Sequence, residues 1–84
     1  MENCNELWSR VTELLRNEPD ITEVSYNAWI GTITPLSLNN NNLVLVVPTD
    51  MNLGMIKRKY LLYINSALRH LFPNSDYDVE VITK

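Results

Sequence analysis

The sequence is poor in the residues that most enzymatic sites need. Among 84 residues there is one cysteine, Cys4, and one histidine, His70. A lone thiol closes no intrachain disulfide, and with no second cysteine and no nearby histidine Cys4 has no partners for a metal site, so it reads as an incidental free thiol. Nucleophilic catalysis needs a serine, cysteine or threonine, a base within reach and a group that orients the base. His70 falls late on a helix, where it suits the carbonyl end of that helix better than the role of a base. Glycines stand only at positions 31 and 54, so neither G-x-x-x-x-G-K-[ST] nor G-x-G-x-x-G can be written and the loops that cradle nucleotide phosphates are excluded. Asp78 and Glu80 share one strand face at i, i+2, the spacing of a solvated face rather than of an acid–base pair. No enzymatic activity, cofactor or metal is expected.

Long apolar runs are also missing. Stretches such as Leu43 to Val47 fall far short of the roughly 18 residues that span a bilayer, and the opening Met1-Glu2-Asn3-Cys4-Asn5-Glu6 has neither the basic start nor the apolar stretch of a secretory signal. A cytoplasmic chain with no membrane partner is expected. With 45% hydrophobic residues, 2 glycines and 4 prolines, the composition is that of a folded chain, neither disordered nor fibrous. Its length allows one core, hence a single domain over residues 1–84.

The net charge of −3 hides an asymmetry. Residues 1–30 carry Glu2, Glu6, Glu13, Glu18, Asp20 and Glu23 against Arg10 and Arg16, a balance of −4, whereas residues 51–72 carry only Lys57, Arg58, Lys59 and Arg69, a balance of +4. Such polarity either steers a partner to one face or is simply a solvated surface.

Hydrophobic spacing orders the chain. Leu7, Trp8, Val11, Leu14 and Leu15 follow helical periodicity, with Asn3 as cap, Glu6 in capping-box position and Pro19 as the stop. A short second helix, residues 23–30, is capped by Thr22, stapled by Ile21 and Tyr26, and closed by Gly31 in a left-handed turn. From Thr32 the period changes to two. Ile33, Leu36 and Leu38 form a strand made irregular by Pro35, a run of asparagines at 39–42 forms a turn, and Leu43 to Val47 return as the second strand of a hairpin. Thr49 or Asp50 caps the longest helix, whose apolar positions run from Met51 to Leu71, with Gly54 loosening its first turns. Pro73-Asn74-Ser75 breaks it, and Tyr77, Val79 and Val81 mark a last strand. The expected class is α+β, in the order α-α-β-β-α-β.

The ordered signatures Glu6-Leu7-Trp8, Ser25-Tyr26-Asn27-Ala28-Trp29-Ile30, Leu43-Val44-Leu45-Val46-Val47-Pro48, and Ile56 followed by Tyr60 and Ile64 cover almost the whole chain. Together they resemble the N-terminal domain of the bacterial chromosomal replication initiator DnaA. The resemblance implies a KH-like fold with a three-stranded sheet packed against helices. It also implies an interaction module that self-associates weakly, helps recruit the replicative helicase and binds regulators of initiation. By position it assigns Leu7, Trp8 and Val11 to self-association, and Ser25, Tyr26, Trp29, Thr49, Asp50 and Met51 to partner binding. Trp8 lies about 100° around the helix from Leu7, at the margin of the stripe, so a partly exposed interface role stands beside a core role. Ser25 replaces an acidic residue that some family members use in helicase contact, and Thr49-Asp50-Met51 replaces a common Asn-x-Phe. The alternative is a module that binds single-stranded nucleic acid weakly through Lys57, Arg58 and Lys59, although the G-x-x-G loop of KH domains is absent and an isoelectric point near 4.9 opposes tight binding.

Overall fold

Three threonine and asparagine caps start the helices. The computed structural model describes residues 3–84; Glu2, counted in the acidic half, lies outside them. Asn3 accepts the Glu6 backbone N–H at 2.9 Å and starts α1, Cys4–Arg16. Thr22 accepts the Ser25 N–H at 3.1 Å and starts α2, Glu23–Ala28. Thr49 accepts the Asn52 N–H at 3.1 Å and starts the long helix, residues 50–71. Each cap satisfies an amide that has no partner within its helix.

The ends differ from expectation. α1 stops at Arg16, ahead of Pro19, where the Asn17 side chain donates back to the Glu13 carbonyl at 3.0 Å. α2 is followed by a tight 3-10 turn, Ile30–Thr32, and Gly31 does not adopt a left-handed conformation. A Cβ at Gly31 would stand 3.3 Å from the Tyr26 carbonyl oxygen, a tight contact that a shift of a few tenths of an ångström would relieve.

β1, Thr34–Asn39, and β2, Asn42–Val47, pair antiparallel across Asn40 and Asn41, whose φ values of 50° and 68° are the positive pair of a two-residue hairpin turn. The register slips between Pro35 and Ser37, leaving Leu36 unpaired in a bulge. Leu36, expected on the apolar period of this strand, is instead 58% exposed. β3, Asp78–Thr83, joins the other edge of β2 in parallel, giving the order β1-β2-β3. The fold is thus α+β, an α-α-β-β-α-β chain with a three-stranded mixed sheet.

Alternation along central β2 divides the sheet. Leu43, Leu45 and Val47 are fully buried against the helices, and Val79 and Val81 of β3 join the same core. α1 packs on both the long helix and β1, and Tyr60, Ile56 and Ile64 of the long helix are the large side chains at the centre.

The long helix is not uniform. Its α-helical start Asp50–Met55 widens into a π-helical turn at Ile56–Tyr60 and resumes as Leu61–Leu71. The sequence supplies the reason. Ile56, Tyr60, Ile64 and Leu68 are all buried and spaced by four, whereas an ideal α-helix drifts about 40° at every such step. A wider turn takes up part of that drift and keeps the four side chains on one line.

Candidate functional site

The end of α2 and the start of the long helix are joined by a directed chain of hydrogen bonds. The Thr49 hydroxyl donates to Asn52 Oδ1 at 2.8 Å, Asn52 Nδ2 donates to Thr32 Oγ1 at 2.9 Å, and the Thr32 hydroxyl donates to the Trp29 carbonyl oxygen at 2.6 Å. Each hydroxyl also accepts one bond, Thr49 from the Asn52 N–H and Thr32 from the Asn52 amide, so every donor in the chain has a defined direction. Residues 20 apart in sequence are thereby tied at the surface.

On this frame Thr49, Asp50 and Met51 are exposed together in the cap and first turn of the long helix. Met51 is 71% exposed. Trp29 is half-buried against the core with its carbonyl in the hydrogen-bond chain, and Ser25 is half-buried one turn earlier on α2. Tyr26 is a core residue; the Arg16 guanidinium lies 4.9 Å from its ring centroid, and a side-chain hydrogen bond with Tyr26, then the charge of that side chain, holds Arg16 even more firmly protonated. Of the six positions assigned to partner binding, the structure therefore brings Trp29, Thr49, Asp50 and Met51 to one place, puts Ser25 close in sequence to it, and buries Tyr26.

Leu7, Trp8 and Val11, assigned to self-association, lie in the core. Leu7 and Val11 are fully enclosed, and Trp8 is 6% exposed, so of the two roles open to the ring the structure favours the core. The apolar arc of α1 is wider than a single stripe because α1 is flanked by the long helix, β1 and α2. Asn5, Glu6, Ser9 and Glu13 face solvent instead.

Lys57, Arg58 and Lys59 are all exposed on the wide turn, but they do not form one stripe. Arg58 folds back along the helix, its Nη1 at 2.9 Å from where a Cβ on Gly54 would stand, and Lys59 Nζ lies 5.7 Å from the Tyr60 ring centroid. Consecutive residues of a helical turn point well apart around its axis, so the three cations diverge.

Elsewhere, an open cleft of about 330 Å³ separates the end of α1 from the long helix, lined by Leu14, Glu18, Tyr63, Ser66 and His70 among others. Tyr63 reaches Asp20 Oδ2 at 3.5 Å; partial burial first, then the charges of Asp20 and Glu18, push its hydroxyl above the usual range, so it stays protonated. Among the described residues, no three His, Cys, Asp or Glu side chains converge as metal ligands would, and no helix is long and apolar enough to cross a membrane.

Sequence reasoning missed Asn52, Thr32 and Val24. Asn52 stands three residues after the cap Thr49, the capping-box offset, and that spacing was a usable signal. Val24, on the outer side of α2, is 79% exposed; an apolar residue beside a polar cap gives no periodic signal of its own.

A family model for the DnaA N-terminal domain matches residues 5–70, from the first turn of α1 nearly to the end of the long helix. The fold is similar to that of a chain in the crystal structure of a HobA-DnaA (domain I-II) complex from Helicobacter pylori, with a TM-score of 0.77, 12% sequence identity, and coverage of 93% of this chain and 98% of that chain. At that identity the likeness speaks to the fold, and the match to the family model, which takes in α1, α2, the hairpin and the whole Thr49–Asn52 cap, speaks to descent. This chain belongs to the DnaA N-terminal domain family.

Proposed function

We propose that the domain is a protein-interaction module of a chromosomal replication initiator, that it carries out no chemistry, and that partners dock on the Thr49–Asp50–Met51 cap turn and the adjoining end of α2. One observation carries this reading: Met51, a large apolar side chain, stands 71% exposed on a turn held in place by hydrogen bonds. An exposed thioether chain gains by leaving water and adapts to an uneven partner surface, and a fixed backbone beneath it lowers the ordering cost of binding. The partners that dock there in this reading are the replicative helicase and regulators of initiation, in the cytoplasm; a second copy of the domain associates weakly over a different face. The structural neighbour from Helicobacter pylori was crystallised in a HobA–DnaA complex, which supports the regulator class.

Two family assignments change on this chain. Ser25 brings no negative charge to a helicase, so contact there is apolar and hydrogen-bonded rather than ionic. Weak self-association runs over the solvent side of α1, because Leu7, Trp8 and Val11 are enclosed. Single-stranded nucleic acid has a minor place: three diverging cations engage few phosphates at once, and affinity built on phosphate neutralisation falls steeply with salt.

Calorimetric titration of the domain with the replicative helicase of the same organism, at physiological salt, tests the reading. Saturable binding with a Kd of about 1 μM, the strength of a transient contact, is expected. No heat and no co-elution with the helicase at concentrations a hundredfold higher would contradict it.

A further inference from the structure

Asn52 reaches from the long helix to the turn after α2, and nothing in the partner-binding assignment includes it. We propose that Asn52 is a positioning residue: it fixes the Thr49–Met51 turn against the Trp29–Thr32 segment, so that a partner meets two pieces of chain as one rigid surface. This inference rests on the partner-binding reading above and deepens it.

The geometry is specific to a primary amide. Asn52 accepts from the Thr49 hydroxyl through Oδ1 at 2.8 Å and donates to Thr32 Oγ1 through Nδ2 at 2.9 Å. An aspartate in its place has no donor for Thr32, and a leucine of similar shape has neither a donor nor an acceptor. Thr32 is equally bound to its role, since its hydroxyl must accept from Asn52 while donating to the Trp29 carbonyl at 2.6 Å. Both ends of the bridge are anchored independently of it. Thr32 lies in the turn whose N–H groups already bond to Trp29 and Ile30 carbonyls, and Asn52 lies in the capped first turn, where the Leu53 N–H bonds to the Thr49 carbonyl at 3.0 Å. Breaking the bridge therefore frees the angle between two locally intact pieces. Met51 is the immediate neighbour of Asn52 and presents its side chain outward from that same turn, so a change in the angle moves Met51 relative to Trp29.

The test combines three variants with two readouts. Asn52→Leu and Thr32→Val each remove one partner of the bridge, while Thr32→Ser retains the hydroxyl. Affinity for the replicative helicase is expected to fall about fivefold in each of the first two variants, the size of one net hydrogen bond. The double variant is expected to lose clearly less than the product of the two single losses, because the Asn52–Thr32 bond is common to both, and Thr32→Ser is expected to bind as the natural domain does. Amide hydrogen exchange, read without any partner, is expected to quicken over residues 30–33 and 49–53 in Asn52→Leu and to stay unchanged in β2. Losses that multiply in the double variant, or single variants within twofold of the natural affinity, overturn the inference. So does unchanged exchange over the two segments, whatever the helicase does. A natural domain that binds no helicase overturns the partner-binding reading, and with it the role of Asn52, whereas binding that survives unaltered in Asn52→Leu overturns the role of Asn52 alone.

Discussion

Replacing Trp8 with alanine is expected to destabilise the whole fold rather than trim a contact at its surface. The indole is 6% exposed and belongs to the same core as Leu7, Val11 and Leu15, so its removal forfeits the burial of a large ring and leaves a cavity that α1 and the sheet cannot fully close. Truncations of this kind cost about 3–5 kcal/mol. A domain of 84 residues has only about 4–12 kcal/mol in all, so the loss is a large share of the total. Thermal unfolding followed by circular dichroism should show the midpoint lowered by about 15 °C or more. A midpoint within a few degrees of the natural domain would place the ring on the surface and restore it as a contact for a second copy.

Met51→Asp should do the reverse, removing binding and sparing the fold. Met51 is 71% exposed, so nothing in the core depends on it. An aspartate in the first turn of the long helix, next to Asp50, also faces the positive end of the helix dipole, which favours negative charge there by a few tenths of a kcal/mol. Stability is therefore expected to stay level or rise slightly. Binding should suffer, because a charge replaces the apolar group that the proposed contact buries, and such a position at the centre of a contact is worth about 1–3 kcal/mol, or roughly 5- to 150-fold in Kd. Titration of the helicase with the variant, beside a melting curve, separates the two effects. Unchanged affinity would remove Met51 from the contact, and loss of affinity together with loss of structure would assign it to the fold.

Most of the fold was legible because local chemistry and long-range packing agree. Asn3, Thr22 and Thr49 each stand where a side-chain oxygen must meet free amides, and all three do so. The asparagine run supplied the two positive-φ residues of the hairpin, Asn40 and Asn41, and Pro35 marked the irregular strand, with the bulge falling one residue later at Leu36. What was not legible depends on partners distant in sequence. The helical period places Trp8 at the edge of a stripe, and only the packing of α1 against several elements at once turns that edge inward. Repeated spacing by four from Ile56 to Leu68 contained the wide turn, but the same spacing also reads as an ordinary helix, since a drift of about 40° per step is invisible until one buried line is required.

The site was legible in part for the same reason. Thr49, Asp50 and Met51 follow a strand-ending proline and open a helix, so their exposure follows from position. Tyr26 sits in the core, as its staple position with Ile21 implies, and Arg16 lies against its ring. Asn52 went unread since its partner Thr32 lies across the hairpin, a juxtaposition that no local pattern encodes.

The central claim is that partners dock where the end of α2 meets the start of the long helix. It is tested most directly by recording ¹H–¹⁵N correlation spectra of the labelled domain while the replicative helicase is added. The account predicts that amide signals from residues 22–32 and 49–53 shift or broaden first, ahead of those from β3 and the basic turn at 57–59. First changes confined to the basic turn, or to the outer face of α1, with the cap turn unmoved, would contradict it.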